Sequence, residues 1–187
     1  MKFFDITVTR TIPAPAEKVF DVWIDPQSPG GPWFGAERVI LNPVVDGLLY
    51  YSVKHEGRTW PHYGRFVQID RPRRVEYTWM SEGTKGAESI VTVTMESRGN
   101  ETEVTLHHTG VPDDEMGRKH KEGWTWVLSA LAEVFVSRKS SLHGSRLRHQ
   151  IRPARNAFVV GAVSGVPIQS LRHRCFVEGV VDRAHQV

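Results

Sequence analysis

Six short segments between residues 36 and 110 have the pattern of β-strands separated by tight turns, and this run constrains the fold of the 187-residue chain most strongly. Breaks such as HEG, DRP and SEGTKG carry the Gly, Asp and Pro residues on which tight turns depend. Consecutive strands with links this short favour antiparallel pairing, because parallel strands need a long crossover. The pattern therefore predicts an antiparallel meander. Its strands are ERVILNP, GLLYYSVKH, RTWPHYGRFVQID, RRVEYTWM, ESIVTVTMES and TEVTLHHTG.

A strand and a helix precede this run, and a long helix follows it. FFDITVTRTI at 3–12 alternates apolar and polar residues, which is typical of a half-buried strand. In PAPAEKVFDVWIDP, Val19, Phe20 and Trp23 recur at helical spacing, whereas QSPGGPWFG is too rich in Gly and Pro for a regular element. After Pro112 and a cluster of acids, apolar residues recur at helical intervals. We therefore expect a long helix over 113–136 with one face on the sheet.

Residues 137–187 differ from the rest of the chain in charge and pattern. Nine of the 24 Lys and Arg and two of the 21 Asp and Glu lie there, which gives this segment +7 and leaves −4 for residues 1–136. The basic pI of 9.2 is due to this segment, so the main domain is not expected to bind nucleic acid. We predict a domain at 1–136 followed by a basic tail at 137–187 that is poorly ordered or irregular.

The single cysteine and the lack of long apolar runs bear on the compartment. Cys175 has no partner within the chain, so a disulfide framework is excluded and a reducing compartment is favoured. No run approaches the roughly 18 apolar residues that a membrane span requires, and the first residues lack a signal-peptide pattern. We expect a cytoplasmic protein without a membrane span.

Six motifs, in order, carry a resemblance to a known family. They are TRTIPAPAEKVFDVWIDP, WFG, GRFVQIDRPRRVEYTW, VTVTM, TEVTLHHTG and HKEGWTWVLSALAEVF, and they span about residues 3–136. The sequence resembles the START/SRPBCC superfamily and, within it, the bacterial homologues of the heat-shock-protein ATPase activator (AHSA-type). The resemblance implies an α+β helix-grip fold, in which a curved antiparallel sheet of six to seven strands wraps around a long C-terminal helix. It also implies two short helices after the first strand and a hydrophobic cavity between sheet and long helix.

The implied cavity needs apolar walls and a few polar groups. Large side chains at these positions either fill an ordinary core or leave room for a lipid or polyketide-like ligand. Trp126 lies two positions beyond Trp124, so it is expected to face elsewhere. The predicted ligand-binding residues are Trp33, Tyr51, His62, Phe66, Tyr77, Trp79, Trp124, Leu128 and Leu131.

Two further polar residues, Arg10 and His108, are expected to point inward. Arg10 shares strand parity with Ile6, which predicts a buried arginine paired with an acid on a neighbouring strand. His108 shares parity with Leu106, so it is either a hydrogen-bonded core histidine or an acid–base catalyst. His107 points to the opposite face, which is wrong for a shared metal. We expect no metal and no cofactor.

Three functions remain open at this point. The first is binding of a small hydrophobic ligand, because relatives in the superfamily include lipid carriers. The second is a cyclase- or hydrolase-type enzyme that uses His62, Tyr77 or Glu37, although no G-x-S-x-G, P-loop, H-E-x-x-H or C-x-x-C signature is present. The third is a co-chaperone-like domain, linked to the stress response, with a heat-shock ATPase as partner. A homodimer is also open.

Overall fold

The computed structural model describes residues 2–55 and 57–148 of the chain, with side chains at 2–54 and 57–137. Within these ranges the alternating and helical patterns form seven strands, two helices and a short 3-10 turn. The elements are β1 (Phe3–Ile12), α1 (Ala16–Ile24), β2 (Arg38–Leu41), β3 (Leu48–His55), β4 (Arg58–Asp70), β5 (Arg74–Ser81), the 3-10 turn Glu82–Thr84, β6 (Ser89–Arg98), β7 (Glu101–Pro112) and α2 (Glu115–Arg148).

All seven strands belong to one curved antiparallel sheet in the order β1-β7-β6-β5-β4-β3-β2. The six strands from β2 to β7 pair in sequence order, so the predicted meander is confirmed. β1 closes the other end by pairing with β7, where Ile6 lies opposite His108. Helix α2 lies against β1, β7 and the 3-10 turn, and the core fills the space between this helix and the sheet. The helix-grip architecture is therefore confirmed.

The segment after β1 contains one short helix among the described residues, where the resemblance implied two. Val19, Phe20 and Trp23 bury one face of α1, as their spacing predicts. The loop at 25–37 forms turns instead of a second helix. It holds three prolines and three glycines, which remove backbone donors and raise the entropic cost of helix formation.

Close backbone approaches hold the loop 25–37 between the two helices. Gly30 has a φ of +90°, and a Cβ there would lie 2.6 Å from Cγ2 of Val134 in α2. A Cβ on Gly31 would lie 2.7 Å from a carbonyl oxygen of α1. The indole Nε1–H of Trp33 donates a hydrogen bond to the Trp23 carbonyl oxygen at 2.6 Å. Glycine is required at both positions because any side chain would displace the loop.

Helix α2 begins with a side-chain cap and ends later than the sequence predicts. The Gly117 amide donates to Oδ1 of Asp114 at 2.8 Å, so the acidic cluster does mark the helix start. Trp124, Leu128 and Leu131 form the buried stripe. The helix continues past residue 136 to Arg148. The remainder of the predicted tail, residues 149–187, lies outside the described residues.

The prediction of a buried Arg10 is wrong. Arg10 pairs with Val104 across β1 and β7, but its side chain is exposed. Because β1 is an edge strand, a long side chain on its inner face can extend past the edge of the sheet and keep its charged group in water.

Candidate functional site

All nine residues predicted to line a cavity are buried between the sheet and α2. They converge because β3, β4 and β5 direct alternate side chains toward the face that α2 covers. The seven aromatic rings among them contact one another, so side chains occupy much of the space that the resemblance assigns to a cavity. These positions thus form a packed core, and a pocket lies at one side of it.

Trp79 lies at the centre of this aromatic cluster and is fully buried. Its ring centroid is 5.0 Å from that of Trp124 and 5.1 Å from that of His62. His62 in turn stacks on Tyr51, with ring centroids 4.3 Å apart. The ring pairs around Trp79 are tilted or edge-to-face, which are the favourable arrangements for aromatic side chains. The cluster therefore stabilises the middle of the domain.

A pocket of about 60 Å³ lies beside the cluster, between the loop 25–37, β3 and α2. This volume suits about four water molecules and is less than half of the roughly 150 Å³ that admits benzene. The walls also contain Val53 and Val127, and the pocket reaches the surface because Phe34 and Trp126 are only half-buried. Five aromatic residues line it: Trp33, Phe34, Tyr51, Trp124 and Trp126.

The pocket shares three residues with the predicted site, namely Trp33, Tyr51 and Trp124. The other six predicted residues lie in the buried core and do not line this pocket. Sequence reasoning missed Phe34 and Trp126. Phe34 belongs to the WFG motif, which was a usable signal, but helical periodicity directs Trp126 away from the sheet. The pocket lies at the flank of α2 rather than beneath it, and this explains why Trp126 reaches it.

Three buried histidines come together next to Trp79 and Trp124. They are His62 on β4, His108 on β7 and His120 on α2, with 3%, 0% and 4% of their surface exposed. The rings of His108 and His120 are 5.4 Å apart. Among the described residues no group of three His, Cys, Asp or Glu side chains is arranged to hold a metal ion.

His108 is a hydrogen-bonded core histidine. The indole Nε1–H of Trp124 donates to its Nδ1 at 3.0 Å. Its Nε2–H donates to Oγ of Ser89 at 2.8 Å, and the Ser89 hydroxyl donates to the carbonyl oxygen of Trp79 at 2.8 Å. We assign the proton to Nε2 because indole nitrogen is only a donor. This chain of hydrogen bonds selects the neutral imidazole, since a second ring proton would face the indole N–H.

Burial keeps the three histidines neutral at physiological pH. It lowers the pKa of His62 to about 3, although hydrogen bonds to the backbone of Trp60 and Tyr51 act in the opposite direction. Burial likewise lowers the pKa of His108 to about 3, with a further contribution from His120. The pKa of His120 is also lowered by burial, against hydrogen bonds from its Nδ1 to carbonyl oxygens of α2. The cluster therefore holds titratable groups without net charge.

The residues proposed as acid–base groups have different surroundings. His62 and Tyr77 are buried, and burial raises the pKa of the Tyr77 hydroxyl well above its usual range. Glu37 is exposed and accepts a hydrogen bond from Oγ1 of Thr59 at 3.3 Å. The buried histidines His62, His108 and His120 are not among the residues that line the pocket. A ligand in the pocket would contact aromatic and aliphatic groups first.

Within the part of the chain that the structure describes, neither helix has an apolar stretch long enough to cross a membrane.

Structures of this shape are known from several organisms. Protein CV1439 from Chromobacterium violaceum is 22% identical, with a TM-score of 0.59 over 70% of this chain and 96% of that one. CalU16 from Micromonospora echinospora is 21% identical, with a TM-score of 0.55 over 79% of this chain and 85% of that one. An HSP90 activator from Plasmodium falciparum is 21% identical, with a TM-score of 0.56 over 71% and 96% of the two chains. At these identities the similarity establishes the fold.

A comparison with curated proteins found no match. The protein-family model described as "Activator of Hsp90 ATPase homolog 1-like protein" matches residues 13–136, well over half of the 187 residues. This match covers β2 to β7, α1 and the buried part of α2, so it includes both the aromatic cluster and the pocket. The chain therefore belongs to the family of Activator of Hsp90 ATPase homolog 1-like proteins, whose fold supports a ligand-binding or co-chaperone-like domain.

Proposed function

We propose that this protein binds a small apolar group in the pocket between the loop 25–37, β3 and α2. The observation that carries the proposal is a pocket of about 60 Å³ that reaches the surface and has five aromatic side chains in its walls. Ligand sites are concave and mostly apolar, and this pocket has both properties. Its size favours a small solute or one end of a larger ligand. A whole lipid or polyketide would require displacement of the loop.

The apolar lining supports weak binding of ligands with few heavy atoms. A ligand of seven heavy atoms that gains about 0.6 kcal/mol per atom would have a dissociation constant near 1 mM. Phenol and 3,3-dimethylbutan-1-ol, each of seven heavy atoms, are therefore suitable neutral probes. Because the pocket is smaller than a cavity that encloses benzene but reaches the surface, each probe would insert its apolar end and keep its hydroxyl in water. Saturation-transfer NMR detects binding in this range and shows which part of the probe is in contact.

Replacing Ala36 with leucine is expected to abolish this binding. Ala36 lines the pocket and is half-buried, so the three added carbon atoms occupy the space of the ligand. The affinity for phenol should fall at least about tenfold, while the free energy of unfolding should change by no more than about 1 kcal/mol. Titration by saturation-transfer NMR and urea denaturation measure the two quantities.

Ala87→Leu provides the matched control, since Ala87 is half-buried in the turn before β6. It should leave the affinity for phenol unchanged. Equal affinity in the Ala36→Leu variant and the natural protein would place the probe elsewhere and contradict the proposal.

A second candidate function is a co-chaperone-like interaction through the outer face of the sheet. Ile40, Tyr50, Tyr63 and Met80 pair directly across β2, β3, β4 and β5 and form one apolar row, called the outer stripe below. Ile40, Tyr63 and Met80 are 38%, 43% and 36% exposed. Exposed apolar rows of this kind are typical of protein interfaces. The described similarity to an HSP90 activator favours a heat-shock ATPase as partner.

The double variant Tyr63→Lys, Met80→Lys tests the second candidate. If the outer stripe binds a heat-shock ATPase, the natural chain should stimulate ATP turnover by the Hsp90 homologue of the same cell, and the variant should not, because two charges would be buried at the interface. Phe3→Lys on β1 is the control, since Phe3 is 53% exposed at the opposite edge of the sheet. Absence of stimulation by the natural chain would count against this candidate.

The cytoplasmic location, the homodimer and the cyclase- or hydrolase-type activity stay predictions. Fractionation of cells and sedimentation of the purified full chain address the first two. We favour ligand binding because the pocket is a formed structural feature with defined walls.

A further inference from the structure

We infer that the pocket is an aromatic cage for a methylated ammonium group, such as the trimethylammonium group of choline. The inference rests on the proposed function and specifies the chemistry of its ligand. The pocket is half aromatic, since five of the ten lining residues are Trp33, Phe34, Tyr51, Trp124 and Trp126. Cations bind to aromatic rings through the ring quadrupole, and sets of such rings are the usual receptors for quaternary ammonium groups.

The rings come from three separate elements and surround the pocket from different sides. Trp33 and Phe34 belong to the loop 25–37, Tyr51 to β3, and Trp124 and Trp126 to α2. Trp33 and Tyr51 meet edge to face, with ring centroids 5.3 Å apart. Edge-to-face contact fixes the orientation of both rings before a ligand arrives. Preorganised rings lose little entropy on binding, which favours affinity.

The uncharged lining of the pocket leaves its rings free for a cation. Among the described residues that line it, none has a charged side chain, so no lysine or arginine occupies the rings. Residues 1–136 carry a net charge of −4, whereas the full chain carries +3, so any preference for a cation must come from the walls of the pocket and not from the net charge.

One acid lies close to the pocket walls. The Glu37 amide donates to the Ser52 carbonyl oxygen at 2.8 Å, and the neighbours of Ser52 on both sides, Tyr51 and Val53, line the pocket. Ala36, the residue before Glu37, lines it as well. The backbone of Glu37 is thereby held beside the pocket, while its exposed carboxylate accepts a hydrogen bond from Oγ1 of Thr59 on β4.

The decisive comparison is between choline and 3,3-dimethylbutan-1-ol, which have the same shape and differ in that a quaternary carbon replaces the nitrogen. With the full chain, we expect choline to bind about tenfold more tightly, because one desolvated cation–π contact accounts for about one power of ten. Glycerophosphocholine is titrated in parallel. Tighter binding of glycerophosphocholine than of choline would indicate a lipid-derived head group as the ligand, and the reverse order would indicate free choline. Tighter binding of either compound than of the alcohol supports the inference. Isothermal titration calorimetry measures all three.

Variants of Trp126 test the location. Trp126 is half-buried, so its replacement is compatible with folding, which circular dichroism checks. Trp126→Leu should reduce the preference for choline over the alcohol to less than threefold, whatever its effect on the affinity for the alcohol itself, whereas Trp126→Phe should keep the preference. Tyr63→Leu removes an aromatic ring from the outer face and should have no effect.

Three outcomes would overturn the inference. Equal affinity for choline and the alcohol would reject the cage and leave the proposed binding of an apolar group intact. Absence of binding by both compounds would reject the inference and the proposed function together. A tenfold preference for choline that persists in Trp126→Leu would show that the cation binds outside this pocket.

Discussion

Acidification from pH 7 to pH 4.5 is expected to lower the free energy of unfolding by about 5 kcal/mol through His62 and His108. In the unfolded chain each histidine titrates near pH 6.5, whereas burial lowers the pKa of both to about 3 in the folded protein. Between these values the unfolded state binds more protons, so stability falls as the pH falls. Each histidine contributes about 1.4 kcal/mol per pH unit below 6.5, and two units separate 6.5 from 4.5.

Urea denaturation at pH 7.5, 6.0, 5.0 and 4.5 measures this effect. Glutamates begin to titrate at the lower end of that range, so the contribution of the histidines is read from the difference between variants that keep every carboxylate. His62→Phe removes one titrating group and should reduce the slope of stability against pH by about 1.4 kcal/mol per unit. Tyr51→Phe is the matched control, since it alters the ring stacked on His62 without removing a group that titrates in acid. An unchanged slope in His62→Phe would mean that His62 is not held neutral by burial.

Trp79→Ala is expected to destabilise the protein by about 3–5 kcal/mol, the usual cost of removing a fully buried tryptophan. The side chain has no exposed surface, and its ring contacts Tyr51, Tyr77 and Trp124. Since domains of this size are stable by about 5–15 kcal/mol, this loss is a large fraction of the total. Urea denaturation at pH 7.5 provides the measurement.

Trp126→Ala is the control, because it removes the same type of side chain from a half-buried position. It should lower the free energy of unfolding clearly less than Trp79→Ala does. If the two variants lose the same amount, the interior around Trp79 is not closely packed. A larger unfilled cavity would then be the better description of the space between sheet and helix.

The strands could be predicted closely because their signals are local. Alternation of apolar and polar residues and the residues of the turns define β3 to β7 without reference to the rest of the chain. The end of α2 was not predictable in this way. Beyond Phe135 the sequence is mostly polar and carries little periodic signal, yet the helix continues to Arg148.

The site was harder to predict than the fold. Strand parity correctly predicted an inward His108, and the predicted wall residues Tyr77 and Trp79 are buried, but the sequence does not tell whether inward side chains fill the space between them. That depends on contacts between residues far apart in sequence, such as Trp79 with Trp124. Trp126 was missed for a related reason, because its role depends on where the loop 25–37 crosses α2 and not on the periodicity of the helix.

The attachment of the loop 25–37 has a consequence for the speed of ligand exchange. Gly30 and Gly31 lie against both helices, and Trp33 is held by its hydrogen bond to Trp23. Under the proposed function, groups that fit within about 60 Å³ would enter past the half-buried Phe34 and Trp126 while this loop stays in place. Larger groups would require the loop to detach first, so their association rate would reach a ceiling set by the protein as the ligand concentration rises. The pocket would then select ligands by their association rate as well as by their affinity.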